Sequence, residues 1–546
     1  MSNRINIVPL GGLEEIGKNM TIVQYDDEWF IIDAGIAFPD EDMYGVNVVI
    51  PDFDYVRRNK EKIRKIVITH AHEDHIGGLP YLLDEIDAPV FATNLTAKLI
   101  EKKLKRHKER IHVIKEDDRL EEDQCTISFF RTHHSIPDSV GVVIETPLGL
   151  VVHTGDFKFD LTPTNGQYID FKRLGEIAGN GVVALLSDST NTIKKGMSIS
   201  EDEVRRNLER EIGACEGRVI VATFASSLHR IPSLFHVAKK LGKKVVVFGK
   251  SMEENIKIAS KLGYFEDFQD ILIPQKEMDR YDGKELMVIT TGAQGESLAG
   301  LAKMANGKHR FVELTEGDTV VFSSSVIVGN EKQVGTLVNG LLKKGVGVIQ
   351  GSHIHTSGHG HEKEQQLMLS IMRPKYFIPV HGEYKMLIQH KELAKQVGIK
   401  DENIFICENG SVIEITEEGA SCKAKVKAGN VMVDDSGMGD VKKSIMRDRH
   451  RMALHGMAVI NAKFDYQNKN MKVWVNLRLF GIVADYDHAS LQKEAGKMIE
   501  RLSRDAEDMN ALKNTLYSEI GDLIHQYVKR RPLVSLYLDG YNKKRG

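Results

Sequence analysis

At 546 residues the chain exceeds one ordinary domain, so two to four are expected, each able to bury its own core. Hydrophobic content of 41% and charged content of 28% are globular values, and no apolar run is long enough to span a bilayer; with a start that lacks a signal peptide, the expected location is the cytoplasm, with no membrane partner. The formal net charge of −3 offers a polyanion no global attraction, so nucleic-acid binding would have to rest on local patches.

Taken in order, Ile5 to Leu10 predicts a strand opening into Gly11-Gly12, followed by strands Met20 to Gln24 and Trp29 to Ile32, the last ending at Asp33-Ala34-Gly35. Arg57 to Arg64 reads as a helix and Ile66 to Ile68 as the end of a buried strand. The chain then turns polar at His70, His72, Asp74 and His75, after which Gly77 and Gly78 free the backbone to enter a helix over Leu79 to Glu85. The run Lys102 to Lys108 is a solvated basic face. Strand Thr126 to Arg131 ends in His133-His134-Ser135, strand Leu150 to His153 in Thr154-Gly155-Asp156, and strand Val182 to Leu186 in Ser187-Asp188-Ser189. Carboxylates and imidazoles thus recur at strand ends, which in an open α/β sheet gather on one edge.

From about Ser200 the texture becomes regular β-α-β alternation, the pattern of a separate, mostly parallel sheet inserted into the chain. Strand Gly347 to Gln350 then delivers His353-Ile354-His355-Thr356-Ser357-Gly358-His359, and strand Tyr376 to Val380 delivers His381-Gly382-Glu383. After Glu414 short strands and glycines run to about Arg449. Strands near Met457 to Asn461, Met471 to Leu479 and Leu533 to Leu538, with helices Ala489 to Leu502 and Met509 to Tyr527, then make a small α+β domain. Cys125, Cys215, Cys407 and Cys422 are scattered singly without C-x-x-C spacing, which argues against a disulfide framework and a thiolate zinc site. Any metal would be held by nitrogen and oxygen.

Four metal-capable side chains within six residues, His70, His72, Asp74 and His75, are hard to explain structurally, and H-x-H-x-D-H closely resembles the signature of the metallo-β-lactamase superfamily. The long gap between Asp156 and His381, filled by the α/β insert, resembles the β-CASP subgroup, whose members cut nucleic acids. Within it, eight blocks in order, P-L-G-G-L-E-E-I-G-K-N, T-H-A-H-E-D-H-I-G-G, H-S-I-P-D-S-V-G, T-G-D-F-K-F-D, L-L-S-D-S-T-N, A-T-F-A-S-S, H-T-S-G-H and Y-F-I-P-V-H-G-E, are similar to those of the ribonuclease J family.

The resemblance implies an α/β fold: a metallo-β-lactamase αββα sandwich over 1–200 and 347–420, an inserted α/β β-CASP domain over 201–346, a linker over 421–452 and a small C-terminal α+β domain over 453–546. It implies that His70, His72 and His134 hold one divalent metal ion and Asp74, His75 and His381 a second, with Asp156 bridging and Asp33 orienting the loop from behind. Of the adjacent pair, His134 rather than His133 directly precedes Ser-Ile-Pro-Asp-Ser, as the family motif requires. Asp74 is also counted with the catalytic residues, Asp188 and His359 pair to protonate the leaving oxygen, and His355, Ser357, Gly358 and His359 bind substrate. The ions would be Zn2+, with Mn2+ or Mg2+ as alternatives.

The expected activity is endonucleolytic and 5′→3′ exonucleolytic cleavage of RNA, preferring a 5′-monophosphate end, in RNA maturation and decay. The expected assembly is a homodimer or homotetramer, with RNA degradation complex partners. The alternatives are a noncatalytic RNA-binding scaffold subunit of such a complex and a DNA-directed β-CASP nuclease. Departures from the family pattern fall at Ser297, at Ser325-Val326-Ile327-Val328-Gly329-Asn330-Glu331 and at Leu477-Arg478-Leu479-Phe480-Gly481, and bear on end selectivity and dimer geometry rather than on the metal ligands.

Overall fold

The structure is a computed structural model. It describes residues 3–540 apart from 266–267, 269, 297–298, 328–329, 436, 439–442, 468–469, 483–484 and 507, so Ser297, Val328 and the basic Lys543-Lys544-Arg545 run lie outside the described residues. The chain divides into two compact units, 1–37 with 49–431, and 38–48 with 432–546.

In the first unit two sheets stack. One holds, in spatial order, Ala420–Lys425, Ser411–Ile415, Ile5–Gly11, Met20–Tyr25, Glu28–Ile32, Ile63–Val67, Val90–Thr93 and Ile111–Ile114. The other holds Tyr376–Val380, Val182–Asp188, Gly149–His153, Val140–Thr146, Thr126–Arg131 and Arg119–Glu121. Strand alternation builds the core between them. Phe30, Ile32 and Val67 from the first sheet meet Phe129, Val142, Ala184, Leu186 and Ile378 from the second.

The intervening Leu185 and Phe377 point the other way, into a second core with Leu174 and Ile177 of helix Phe171–Gly179 and Met368 and Leu369 of helix Glu362–Met372. Strands covered on both faces need an unbroken apolar run, which is why V-V-A-L-L and Y-F-I-P-V carry no polar alternation.

The insert has its own five-stranded parallel sheet, in the order Lys244–Phe248, Leu286–Thr290, Val219–Ala222, Thr319–Phe322 and Gly347–Ile349. Its core joins Ile220, Val288 and Val320 to Leu301, Val334 and Leu341 from flanking helices. In the second unit, strands Asn470–Phe480, Met457–Gln467 and Leu533–Asp539 form one sheet. Its inner face, Ala458, Ile460 and Leu477, packs on Leu491 and Ile499 of helix His488–Asp505 and Leu516 and Ile520 of helix Met509–Val528. No helix among the described residues is long and apolar enough to cross a membrane.

Several local expectations fail for identifiable reasons. The helix expected over Arg57 to Arg64 is instead a short one, Asp54–Arg58, then a 3-10 turn and a strand that opens at Ile63. The stretch is polar up to Lys62, whereas β-branched Ile63 pairs with Trp29 in the parallel ladder. The helix after the histidines starts at Glu73, ahead of the two glycines, so Asp74 and His75 lie in its first turn. Helix Phe171–Gly179 was not anticipated, although Asp170 caps it by accepting from Arg173 N at 2.9 Å. Helix Lys443–His455 occupies a stretch read as short strands and glycines, where charges from Arg447 to Arg451 blur any apolar stripe.

A candidate dinuclear metal centre

Every strand tip that carries a chemical group opens on one rim of the sandwich. Glu28–Ile32 runs parallel to Ile63–Val67, placing Asp33 beside Thr69 and His70. Gly149–His153, Val182–Asp188 and Tyr376–Val380 are mutually parallel, which places Asp156, Asp188 and His381 side by side. His134 leaves Thr126–Arg131 at the same rim. Asp33 and His381 hold left-handed backbones, φ 62° and φ 53°, a conformation that non-glycine residues keep only when the surroundings enforce it.

Two overlapping groups of ligand candidates, His70, His72, His134 and Asp156, and Asp74, His75, Asp156 and His381, adjoin a third metal-capable group, Asp156, Asp188, His359 and His381. In the first, His70 Nε2 and His134 Nε2 lie 3.1 and 3.0 Å from His72 Nδ1. Asp156 Oδ2 is 3.5 Å from His70 Nε2, 3.3 Å from His75 Nε2 and 3.6 Å from His134 Nε2, and its Oδ1 is 2.9 Å from His381 Nδ1. Asp74 Oδ2 sits 3.6 Å from His75 Nε2 and 3.3 Å from His381 Nε2.

The far edges of the His70, His72, His75 and His134 rings are tied down. His75 Nδ1–H donates to Asp33 at 2.7 Å, His134 Nδ1–H to the Gly358 carbonyl at 2.8 Å, and His70 Nδ1–H to Thr69 Oγ at 3.0 Å. Asp33 also accepts from Thr69 N and Thr69 Oγ, at 2.8 and 2.9 Å, so one buried carboxylate orients two of the rings. His72 is reversed: Nε2–H donates to Ser135 Oγ at 3.3 Å, leaving Nδ1 inward. Fixing the far nitrogen selects the tautomer whose lone pair faces the centre.

This donor set fits two divalent cations. Tetrahedral zinc with bonds of about 2.0–2.1 Å spaces its ligands about 3.3 Å apart, close to the separations observed. Bare imidazole lone pairs this close repel unless a cation lies between them, and the buried His381 Nε2 has no hydrogen-bond partner among the described residues.

The electrostatics divide the rings. Burial, then neighbouring imidazoles, holds His70 and His134 well below the usual histidine range, and burial takes His72 down to about 4. For His75 and His381 burial is outweighed by carboxylates, Asp156 foremost, which leave both well above it. Burial opposes ionisation of Asp156, yet His381, His75, His359 and His70 together hold it well below the carboxylate range.

Beside the ligands, His359 Nδ1–H donates to Asp188 Oδ2 at 2.8 Å, and Asp188 Oδ1 accepts from Thr190 N at 2.9 Å. Burial lowers His359, but Asp188 and then Asp156 raise it further, so its net shift is upward. Its ring is 5.0 Å from that of His134 and 5.4 Å from that of His381. Ser357 Oγ accepts from His359 N at 3.2 Å. At Gly358 a Cβ would come within 2.4 Å of the His134 ring, so only glycine permits this approach.

His355 is placed differently, near Arg230, Glu201 and Lys158. Burial, then the Arg230 charge, takes it down to about 3, and its Nδ1 has no partner among the described residues. His133 is turned outward, Nε2–H donating to the Gln167 carbonyl at 2.7 Å, and belongs to neither ligand group.

The sequence reading missed three kinds of support. Thr69 and Thr190 are hydroxyls next to candidate ligands and stood in quoted blocks without a role. Asn19 donates to the Asp74 carbonyl at 3.2 Å, and stood in a quoted block without a role. Lys158, Asp160, Glu201 and Arg230 form a fully buried charge cluster, with Glu201 Oε2 3.0 Å from Arg230 and Oε1 3.4 Å from Lys158, that no local spacing announces.

Family models match four successive parts of the chain: metallo-beta-lactamase superfamily at 14–193, ribonuclease J beta-CASP domain at 216–341, zinc-dependent metallo-hydrolase RNA specificity domain at 349–407, and ribonuclease J C-terminal domain at 444–538. The chain is 38% identical over 543 residues to ribonuclease J 1 of Streptococcus pyogenes serotype M3, with 97% of each chain covered. It is 38% identical over 541 residues to ribonuclease J 2 of Staphylococcus epidermidis and of Staphylococcus aureus, again with 97% of each covered. Among solved structures, a protein of unknown function from Enterococcus faecalis V583 matches with a TM-score of 0.53 at 14% identity, over 75% of this chain and 100% of that one, a likeness of fold alone.

Proposed function

The chain belongs to the ribonuclease J family and is a metal-dependent ribonuclease, and from that premise we propose that it hydrolyses RNA at a two-cation centre by both endonucleolytic and 5′→3′ exonucleolytic cleavage. His70, His72, His134 and Asp156 would hold one cation, and Asp74, His75, His381 and the shared Asp156 the other. The observation that carries this reading is the convergence of four imidazole nitrogens, from His70, His75, His134 and His381, on the one carboxylate of Asp156 at 2.9–3.6 Å.

When bound, two such cations lower the pKa of a water toward ~7 and offset the charge that develops on a phosphodiester. The chain's own groups supply the rest. Asp33 and Thr69 fix ring orientation, so the donors are preorganised. His359 is held by Asp188 in a partly exposed position with its proton-bearing form favoured, which suits it to protonate the leaving oxygen. Ser357 and Gly358 set the position of His359 and His134, and with His355 they would line the path of the phosphate. Zinc is the proposed metal, because histidine and aspartate at these spacings suit it, with manganese or magnesium as substitutes. Preference for a 5′-monophosphate end, assembly as a homodimer or homotetramer, degradation complex partners and a cytoplasmic location belong to the same proposal, as do the domain limits given above, adjusted so that strand Gly347–Ile349 counts with the insert and Ala420–Lys425 with the sandwich.

The test is cleavage of matched RNA and DNA oligomers bearing 5′ mono- or triphosphates by metal-loaded protein, with metal content measured on the same sample. Two metals per chain and faster hydrolysis of monophosphorylated RNA are expected. Stoichiometric metal without RNA hydrolysis would replace the reading with a binding scaffold, and preferential DNA cleavage with a DNA-directed nuclease.

A further inference from the structure

Cys407 and Cys422 meet at the open edge of the eight-stranded sheet. Ala420–Lys425 is its outermost strand, and Cys422 sits opposite Ile413 beside a register irregularity between Val412 and Ile413. Cys407 precedes strand Ser411–Ile415, and its sulfur lies 3.4 Å from that of Cys422. Both thiols are free, Cys422 exposed and Cys407 buried. The other two cysteines stand apart: Cys125 is buried in the sandwich core, and Cys215 Sγ donates to the Glu211 carbonyl on its own helix at 3.2 Å.

We propose that Cys407 and Cys422 are a reversible redox site, a dithiol that closes to a disulfide when it meets a small-molecule disulfide oxidant such as oxidised glutathione. The Cys422 thiolate attacks one sulfur of the oxidant and expels its first thiolate. Cys407 sulfur then attacks Cys422 Sγ and expels the second. One S–S bond breaks and one forms, the two cysteines are oxidised, the oxidant is reduced to two thiols, and the two cysteine protons end on them. The order follows from access, since only Cys422 is open to solvent, and burial together with the neighbouring Cys422 and Glu408 raises the Cys407 thiol. To form an S–S bond of about 2.05 Å the two sulfurs close from 3.4 Å.

The location ties this site to the centre. Two residues beyond Cys407, Asn409 accepts from Leu13 N at 3.1 Å and donates to the Leu13 carbonyl at 3.2 Å and to Glu15 Oε1 at 2.7 Å. Leu13 and Glu15 in turn bridge to Gly382, the neighbour of His381. A bond from Cys407 to the edge strand fastens the turn that holds this loop.

The test uses full-length metal-loaded protein treated with excess oxidised glutathione or with dithiothreitol, followed by intact mass and non-reducing peptide mapping. Wild type is expected to lose the mass of two hydrogen atoms, with one cross-linked peptide pair joining Cys407 to Cys422, restored by dithiothreitol. C407S is expected to retain glutathione on Cys422, and C422S to form neither cross-link nor adduct. Reduced C407S and C422S should cleave RNA like the reduced parent, since neither residue touches the centre. Absence of the cross-link in wild type, or a stable glutathione adduct on its Cys422, overturns the proposal without bearing on the nuclease reading.

Discussion

The imidazole of His359 and the carboxylate of Asp188 meet at 2.8 Å although 171 residues separate them in sequence. The pair adds no nitrogen to the His70, His72 and His134 set; with Asp156 and His381 it forms a third metal-capable group, which the proposed two-cation assignment leaves to proton transfer. Its loss should therefore be felt in turnover before metal retention. His359→Gln is expected to lower kcat by about 10²–10⁴-fold, the range for a lost general acid, with metal content unchanged. Steady-state kinetics alongside elemental analysis checks this; a rise in KM with kcat preserved would assign His359 to substrate positioning.

Asp33 accepts three hydrogen bonds, two from Thr69 and one from His75. Asp33→Ala releases two ligand-bearing rings at once and should weaken metal affinity about 10–100-fold. Competition with a fluorescent chelator measures the change, and equal affinity in wild type and variant would remove Asp33 from the supporting role.

At Gly358 the cost of a side chain is steric. Gly358→Ala drives a methyl into the His134 ring, which must move away from the carbonyl it donates to. Loss of one metal equivalent with unchanged far-ultraviolet circular dichroism is the expected result. Full loading and full activity would show that the loop yields instead.

Removal of metal should destabilise the first unit. Without cations the crowded donors are left facing one another, and ligands that bind only the folded state raise its stability by mass action. Dialysis against a chelator is expected to lower the thermal midpoint, and zinc to restore it. A midpoint indifferent to metal would contradict the assignment of these residues as ligands.

Glu201 gives a pH signature away from the ligands. Burial raises its carboxyl, but Arg230 and then Lys158 outweigh that and bring it down to about 2. A carboxyl depressed on folding contributes stability above its unfolded pKa, about 4.3, and loses it as pH falls toward the folded value. The contribution is on the order of 3 kcal/mol at neutral pH. Denaturant titrations from pH 5 to roughly pH 2 should show wild type losing stability faster than Glu201→Gln, and parallel curves would count against this linkage.

What could be read from the sequence follows the range of the signal. H-x-H-x-D-H packs four donors into six residues, so the nucleus of the centre was visible locally, and strand tips ending in Asp33, Asp156, Asp188 and His381 could be collected because parallel strands share a rim. The choice of His134 over His133 came from a motif, and the structure shows the physical difference between inward and outward rings. Thr69, Thr190 and Asn19 were not legible because their roles depend on which ring lies behind them. The Lys158, Asp160, Glu201 and Arg230 cluster was hidden because charged residues at ordinary spacing announce nothing until folding buries them together. Helix starts failed at Glu73 and Lys443 where polar residues, not apolar periodicity, open the helix.

Ile5 pairs with Ile415, and His381 completes a candidate donor set begun at His70. During translation, then, strand Ile5–Gly11 can pair with Met20–Tyr25 at once, while its other edge waits for Ser411–Ile415, which emerges hundreds of residues later. On the proposed assignment, a nascent chain lacks the last donor of the centre until residue 381 has cleared the exit tunnel. Products of synthesis interrupted before that point would then carry an incomplete donor set.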